Sequence, residues 1–494
     1  MAYRQQWLSK AGILSAALLV AVLAAGEFPQ FSWGKSRQSN VVVTIAFHNT
    51  LQKKILGMGV QWDPYDYYSP SPQDWNTIIQ RLDFMDPSFI RDIGGGDSTD
   101  ARILAWAQQH DSQVILGTWT PSPLSGTSPP SASAITSWAS TTAQYVKSLN
   151  AQYGNVIHYY NFVNEPQNLP ISTWTRLASG LQAAFTQASM GNSVRVIGPD
   201  TYGDPDWGAT ANKRRSYNWP LLQAIARRAS GIVGAFDIHW YPYDKEVSGG
   251  SIRSVLAREK RLVVSVQARA AKLPFLVAEA GLLNGKTNGD QQPRVKTFGY
   301  GVLMADYATQ VFRAGWDGIS AWDLDDAMHV VNGKPMTQPP SKLTLKIWGF
   351  WNSQGAAMGD PADFDIRPWF YTWSLMSRMF PAGTRIVDST EPAGTRRFRT
   401  LVGTRIVDDR LIISVVLVND VKKSRNITVR VPPDAHARTL TEYSYFRHDR
   451  PVNAQGLPVA AKILHNVSPA HKVNIFMPSR GVVFLTNRHP FDTR

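Results

Sequence analysis

The 494-residue chain contains no cysteine. It therefore has no disulfide framework, no thiolate metal site and no cysteine for lipidation. A cysteine-free chain is compatible with export but does not establish it.

Motifs that bind metals, nucleotides or nucleic acids are also missing. The sequence has no HExxH motif, and His158, His239 and His329 lack the spacing of metal ligands. It contains neither a P-loop nor a GxGxxG motif, and no basic segment interleaved with aromatic residues. We therefore expect no metal, no cofactor and no nucleic-acid partner.

Only one stretch of the chain is apolar enough to engage a membrane, and it lies at the N-terminus. Arg4 and Lys10 precede an uncharged stretch over residues 11–26 that closes with small residues, the layout of a secretory signal. The stretch is shorter than the roughly 20 residues of a spanning helix, which favours cleavage over a retained anchor. We predict a signal peptide or N-terminal anchor over residues 1–26, and a secreted or envelope-associated protein.

Acidic residues are outnumbered by basic ones, 37 to 51, which gives a formal net charge of +14. A basic surface attracts nucleic acid, acidic polysaccharide or an anionic cell envelope. The export pattern favours an acidic polysaccharide or the envelope over nucleic acid. The alternative is a basic surface that serves only solubility.

From residue 55 onward, short apolar runs alternate with longer segments of helical period, which is typical of parallel βα units. The predicted strands are Ile55–Gln61, Ser88–Asp92, Gln113–Trp119, Ile157–Asn164, Val194–Pro199, Phe236–Trp240, Pro274–Glu279 and Gly318–Trp322. Eight strands are the number that a closed barrel needs, so the pattern predicts a (β/α)8 TIM barrel over residues 50–380.

Beyond Pro381 the apolar runs become short, β-branched and separated by turn residues. This pattern predicts a C-terminal all-β sandwich domain over residues 381–494. Val41–Phe47 is also rich in β-formers, and we predict that residues 27–49 form a linker with a strand added to the β-domain.

Two of the predicted barrel strands end at a glutamate, Glu165 after the fourth and Glu279 on the seventh. Strand ends of a parallel barrel meet at one mouth, where two carboxylates can flank a glycosidic bond as acid and nucleophile. A carboxylate that caps the next helix is the alternative reading of Glu165. Other polar and aromatic residues at strand ends point to the same mouth. They include Trp62, Arg91, Trp119, Asn164, Asp200, His239, Tyr241 and Trp322.

With these residues the chain resembles the clan A glycoside hydrolases, a superfamily of retaining (β/α)8 enzymes. The matching motifs are Asn164-Glu165-Pro166, His239-x-Tyr241, Glu279 and Trp322. The trailing β-domain resembles that of families 30, 39, 51 and 79, and the individual family is not resolved.

The resemblance implies a role for each residue. Glu165 would be the general acid/base, a role that needs a raised pKa, and Glu279 would be the nucleophile. Arg91 and Tyr241 would hold Glu279 ionised, and Asn164 would bind the sugar 2-hydroxyl.

Four further residues would contact the substrate. Trp322, Trp119 and Trp62 would form stacking walls, and His239 would join the binding site. The alternatives are a structural salt bridge for Arg91, a core histidine for His239 and core packing for each tryptophan.

The function predicted from these residues is that of an exported retaining β-glycosidase acting on a poly- or oligosaccharide, either neutral or acidic, by double displacement. We expect the two carboxyl groups to lie about 5–5.5 Å apart. The alternatives are a catalytically silent glycan-binding or exopolysaccharide/envelope-biogenesis protein on the same scaffold, and a transglycosylase.

Overall fold

The computed structural model describes residues 40–63, 65, 70–94, 98–125, 129–166, 168–202, 219–328, 344–391, 397–431, 439–465, 467 and 472–488. The predicted signal segment over residues 1–26 lies outside them. Within this part of the chain, no helix combines the length and the apolar character needed to cross a membrane.

Eight parallel strands form a closed barrel in sequence order, which confirms the predicted TIM barrel. A strand outside the barrel, β1 (Asn40–Gln52), comes first in the chain. The barrel strands are β2 (Gly57–Gln61), β3 (Phe89–Asp92), β4 (Gln113–Gly117), β5 (Ile157–Asn161), β6 (Arg195–Tyr202), β7 (Val233–Trp240), β8 (Phe275–Ala280) and β9 (Gly318–Ala321).

Helices connect the barrel strands, as the helical periods of the sequence predict. They are α1 (Pro72–Met85), α2 (Ser98–Gln109), α3 (Ala132–Gln152), α4 (Ile171–Gln187), α5 (Pro220–Ala229), α6 (Asp244–Gly249), α7 (Ser251–Val266), α8 (Phe298–Arg313) and α9 (Pro368–Met379). Local sequence fixes several helix starts. Ser71 caps α1 by accepting a hydrogen bond from the Asp74 amide at 3.2 Å, and Pro72 occupies the first turn.

One large aromatic side chain inside the barrel faces two glycines. Phe89 on β3 packs with Ile115 and Leu276 inside the barrel. A Cβ atom at Gly59 on β2 would lie 2.4 Å from the Phe89 ring, and one at Gly318 on β9 would lie 3.2 Å from it. The ring of Phe89 therefore has space because Gly59 on the first barrel strand and Gly318 on the last have no side chain.

The C-terminal part of the chain forms a curled all-β domain. Its strands are β10 (Arg385–Ser389), β11 (Phe398–Val407), β12 (Arg410–Asn419), β13 (Arg425–Arg430), β14 (Thr439–Tyr445), β15 (Lys462–His465), β16 (Val473–Met477) and β17 (Gly481–Thr486). Together with β1 they form one nine-stranded sheet in the order β15-β14-β17-β12-β11-β10-β1-β13-β16. Apolar side chains from both halves of the sheet, such as Val43, Val415, Ile427 and Leu485, meet in one core, as in a sandwich.

The sheet packs against the barrel through α8. Arg313, at the end of α8, donates hydrogen bonds to the Ser389 hydroxyl at 2.9 Å and the Thr400 carbonyl at 3.2 Å. At the other end of the helix, Phe298 stacks on Tyr445 with ring centroids 4.7 Å apart. The barrel and the sheet thus share a continuous interface.

Candidate active site

Glu279 lies at the C-terminal end of β8, where three side chains hold its carboxylate. Arg91 Nη1 donates to Oε1 at 2.6 Å, and the Tyr241 hydroxyl donates to Oε2 at 2.8 Å. His239 Nδ1 lies 3.3 Å from Oε2. The ion pair with Arg91 and the hydrogen bond from Tyr241 are thus the contacts that the resemblance to clan A implies.

Burial dominates the electrostatics of Glu279. It raises the pKa of the Glu279 carboxyl above its usual value, although the positive charges of His239 and Arg91 oppose it. Arg91 lowers the pKa of Glu279, but this effect is outweighed because the surrounding barrel removes the carboxylate from water.

Glu165 follows β5 and faces the cleft. Its amide donates to the Asp200 carbonyl at 3.1 Å, and the preceding amide of Asn164 donates to the Trp119 carbonyl at 3.1 Å. Glu165 has a φ of +46°, a left-handed conformation uncommon for this residue type. These bonds to neighbouring strand ends hold the segment in that conformation and turn the carboxylate towards β7. Its side chain is 36% exposed, against 5% for Glu279.

His239 connects the two glutamates to a third carboxylate. Its Nδ1 lies 3.0 Å from Glu165 Oε1, and its Nε2 lies 2.8 Å from Asp200 Oδ1. Burial alone would lower the pKa of His239, but Asp200 and Glu279 raise it well above its usual value. The imidazole is therefore positively charged and donates from both ring nitrogens.

Asp200 binds both cationic side chains of the site. One of its carboxylate oxygens accepts from His239, and the other accepts from Arg91 Nη2 at 2.9 Å. Burial would raise the pKa of Asp200, but Arg91 and His239 hold it well below its usual range. The same guanidinium also donates to Asn164 Oδ1 at 2.9 Å and to Gln61 Oε1. A buried network of fixed charges therefore positions both glutamates.

The glutamates lie close together. Glu165, His239 and Glu279 each offer one side-chain atom, and these atoms all lie within 4.8 Å of one another. Such a cluster has the spacing of a metal site, and within it His239 Nδ1 lies 3.0 Å from a carboxylate oxygen of Glu165 and 3.3 Å from one of Glu279. The set is therefore suited to organising two carboxylates.

Aromatic side chains line the cleft above the glutamates. Trp322 follows β9, and its ring meets that of Trp119 edge-on with centroids 6.5 Å apart. Trp119 is 42% exposed. Both tryptophans line a cleft of about 370 Å³ together with Asn164, Glu165 and Glu279.

Three predicted binding residues have no surface in the cleft. Trp62 is fully buried and packs on Trp75 of α1 with ring centroids 6.1 Å apart, so it belongs to the core and cannot form a stacking wall. Arg91 and His239 are also fully buried. Arg91 contacts Glu279, the partner expected for it, whereas His239 contacts Glu165 and Glu279 in place of a sugar.

The sequence places Asp200 at the barrel mouth, but no role was predicted for it or for Asp237. Asp200 is central to the charge network, and Asp237 on β7 accepts the Asp200 amide at 2.7 Å. The cleft is also lined by the last residue of β6 and by residues of the loops after β8 and β9. They are Tyr202, Leu283, Lys286, Asp290, Lys346 and Trp348. Strand-end position marks Asp200 and Asp237 in the sequence, whereas nothing in the local sequence marks the loop residues.

Comparison with known proteins gives matches in structure alone. No protein-family model and no curated protein sequence matches the chain. An endoxylanase of glycoside hydrolase family 30 from Clostridium papyrosolvens C71 superposes with a TM-score of 0.59 at 14% identity, covering 90% of this chain and 100% of that chain. A glucosidase from Croceicoccus marinus superposes with a TM-score of 0.62 at 9% identity, covering 91% and 99%.

A third similar structure is a bacterial orthologue of human α-L-iduronidase. Its TM-score is 0.58 at 12% identity, with coverage of 91% of this chain and 84% of that chain. The chain therefore has the fold of these glycoside hydrolases, barrel and β-domain together, which agrees with the resemblance to clan A. At such identities the likeness concerns the fold.

Proposed function

We propose that the chain is an exported β-glycosidase that cleaves glycosidic bonds of a poly- or oligosaccharide with retention of configuration. The observation that carries the proposal is the pair Glu165 and Glu279, with carboxylate oxygens within 4.8 Å across one cleft. This spacing suits a retaining enzyme, since inverting enzymes keep their carboxyl groups about 6.5–9.5 Å apart to admit a water molecule.

In the first step of the proposed reaction, Glu279 attacks the anomeric carbon and the bond to the leaving oxygen breaks. Glu165, in its protonated form, donates its proton to that oxygen. In the second step, Glu165 takes a proton from water, and the water oxygen displaces Glu279 from the sugar. The unequal environments support this division, because the nucleophile is the buried, firmly held carboxylate and the acid/base is the one open to water.

The neighbouring side chains support the same mechanism. Arg91, Tyr241 and His239 hold one rotamer of Glu279 for attack. Asn164 lines the cleft beside both glutamates, where its amide can bind the sugar 2-hydroxyl. Trp119 and Trp322 offer aromatic faces and edges to the sugar rings.

The complete set of polar groups favours an enzyme over a silent glycan-binding or envelope-biogenesis protein. A protein that only binds glycans has no need for a buried nucleophile held by an arginine, a tyrosine and a charged histidine. Hydrolase and transglycosylase use the same residues and differ in what intercepts the covalent intermediate. For export, the support is the signal pattern over residues 1–26.

The experiment that tests the proposed function is a hydrolysis screen followed by product stereochemistry. The protein is incubated with neutral and acidic polysaccharides, and the anomeric proton of the first product is followed by NMR. We expect retained configuration. A 2-deoxy-2-fluoro glycoside of the cleaved sugar should then label Glu279 covalently, as read by peptide mass spectrometry. Inverted products, or a label on another residue, would contradict the mechanism.

A further inference from the structure

Two lysines of the cleft have no part in the proposed mechanism. Lys286 lies in the loop after β8 and Lys346 in the loop after β9, and both line the cleft that contains Glu165 and Glu279. Their side chains are 34% and 28% exposed, so the ammonium groups remain accessible to a ligand.

Both lysines pair with the same carboxylate. Lys286 Nζ lies 3.1 Å from Asp290 Oδ1, and Lys346 Nζ lies 3.2 Å from Asp290 Oδ2. Burial would raise the pKa of Asp290, but Lys346 and Lys286 hold it below its usual value, so the carboxylate is ionised. The three side chains together carry a net charge of +1. Each ammonium has three N–H donors and directs one of them to Asp290. The others can bind a second anion.

The backbone holds the two loops together. The Gln292 amide donates to the Ile347 carbonyl at 2.7 Å, and the Trp348 indole donates to the Asp290 carbonyl at 3.0 Å. Trp348 is itself buried. The two loops are thus held together before a ligand arrives, and both ammonium groups already contact Asp290, which lowers the entropic cost of binding.

The lysine pair lies next to a sugar-stacking surface. Lys346 Nζ is 5.7 Å from the ring centroid of Trp322, the tryptophan that follows β9 at the mouth of the barrel. A sugar seated against Trp322 would therefore present its substituents to Lys346. A neutral hydroxyl does not need two cations, whereas a carboxylate or sulfate group forms charge-assisted hydrogen bonds with them.

We propose that the substrate carries an anionic group, a sugar carboxylate or sulfate, and that Lys346 and Lys286 bind it in the cleft. This inference rests on the proposed glycosidase function and names its substrate class. It places the recognition of an acidic substrate at these two lysines, in addition to the general attraction of a basic surface for acidic polymers.

The test compares charged polymers with their neutralised forms. Glucuronoxylan, polygalacturonate and hyaluronate are assayed before and after reduction of their carboxyl groups, and kappa-carrageenan before and after desulfation. We expect kcat/KM for at least one charged polymer to exceed that of its neutralised form about tenfold or more. The carboxyl and sulfate arms distinguish the two anions. Lys286→Gln and Lys346→Gln should each reduce this ratio, and the double variant should bring it close to one.

Two further variants make the test specific. Lys462→Gln removes an ion-paired lysine from β15 on the β-domain and should keep the ratio. Asp290→Asn retains the side-chain shape and raises the local charge to +2. Asn adopts the left-handed φ of +54° at this position readily. This variant should lower KM for the charged polymer about threefold or more.

Equal kcat/KM for charged and neutralised polymers, or a ratio that survives in the double lysine variant, would overturn the inference and leave the glycosidase function intact. If no polymer is hydrolysed, binding to the Glu279→Gln variant is measured by calorimetry at low and high salt. Tighter, lysine-dependent binding of the charged form would then support the anionic site while the glycosidase function fails. Equal binding of both forms would overturn the anionic site.

Discussion

Two glutamates of identical chemistry occupy opposite environments in this site. Glu279 is buried and receives hydrogen bonds from Arg91 and Tyr241. Glu165 is partly exposed, and its carboxylate lies 3.0 Å from His239 Nδ1. The buried carboxylate cannot exchange its partners for water, so it keeps one orientation for attack. The exposed one meets the leaving group and water in turn, as an acid/base must.

This difference predicts unequal effects of replacing the two residues. Glu279→Gln should lower turnover of every substrate by at least about a thousandfold, because no covalent intermediate can form. Glu165→Ala should retain activity on aryl glycosides whose leaving group needs no proton, and added azide should partly restore its rate. Steady-state kinetics on activated and unactivated substrates measure both effects. Near-normal rates in Glu279→Gln would show that the nucleophile is another residue.

A second prediction concerns the proton on His239. The Asp200 carboxylate lies 2.8 Å from His239 Nε2 and raises the pKa of His239. Asp200→Asn removes this negative charge. The pKa should fall, so the ring should lose a proton at lower pH, and the alkaline limb of the kcat/KM profile should move in the same direction. The imidazole resonance followed by NMR gives an independent readout.

Asp83→Asn is a matched control, since Asp83 is exposed and lies 3.1 Å from the half-buried His110, away from the cleft. It should leave the profile in place. An Asp200→Asn profile that overlays the native one would refute the role of His239 as a charged bridge.

For single residues, the sequence predicts which side chains lie at the barrel mouth better than it predicts what they contact there. Glu165, Glu279 and Tyr241 were predictable because each stands at a strand end of the parallel barrel, where position alone directs it to the mouth. Strand-end position also directs Asp200 to the mouth, but its contacts were not predictable, because its φ of +58° and the irregular pairing between β6 and β7 turn it inward. Trp62 looked like a cleft residue, but Trp75 of the following helix covers it.

The strands that the sequence predicts best are those buried on both faces. Barrel strands such as β2 and β8 are buried on both faces and read as continuous apolar runs. The strands β10, β15 and β16 were not predicted. In β15, three of four residues are exposed and one is half-buried, so its strand form comes from pairing with β14 and leaves no alternating pattern to recognise.

The helix α8 carries a buried carboxylate at its contact with the β-domain. Asp306 Oδ1 accepts from Gln310 at 2.7 Å and lies 3.4 Å from Arg399 Nε on β11. Burial raises the pKa of Asp306 to about 7 in spite of Arg399. Unfolded aspartate has a pKa of about 3.9, so the folded protein keeps a proton that the unfolded chain releases.

The sign of the pH effect follows from this difference. The stabilisation from the bound proton is complete below about pH 4 and is lost as pH rises to about 7. Asp306→Asn removes this titration, so the Tm of the native protein minus that of the variant should decrease between pH 4.5 and 7.5. Thermal unfolding followed by circular dichroism at several pH values measures it. A difference that stays constant or grows with pH would show that Asp306 is ionised throughout.

The chain enters and leaves the barrel through the same sheet. β1 precedes the barrel, yet it pairs with β13 through residues 40–44 and with β10 from Ile45 onward. Gln52 at its end also donates to the Trp316 carbonyl at 2.8 Å, next to α8. The β-domain is therefore assembled from both sides of the barrel in sequence, and neither part is a simple appendage of the other.

This arrangement predicts that the barrel does not fold alone. A chain of residues 53–380 loses the whole sheet and uncovers the face of α8 that bears Phe298 and Arg313, an apolar and charged surface normally buried against Tyr445 and Ser389. We expect this chain to aggregate or to lack a cooperative thermal transition, because exposed apolar surface of this kind promotes association. Size-exclusion chromatography and differential scanning calorimetry measure both properties.

The matched control is a chain of residues 40–494, which keeps β1 and should remain monodisperse. A soluble, cooperatively melting 53–380 chain would show that the barrel is an independent folding unit, and that its contacts with the sheet serve orientation rather than stability.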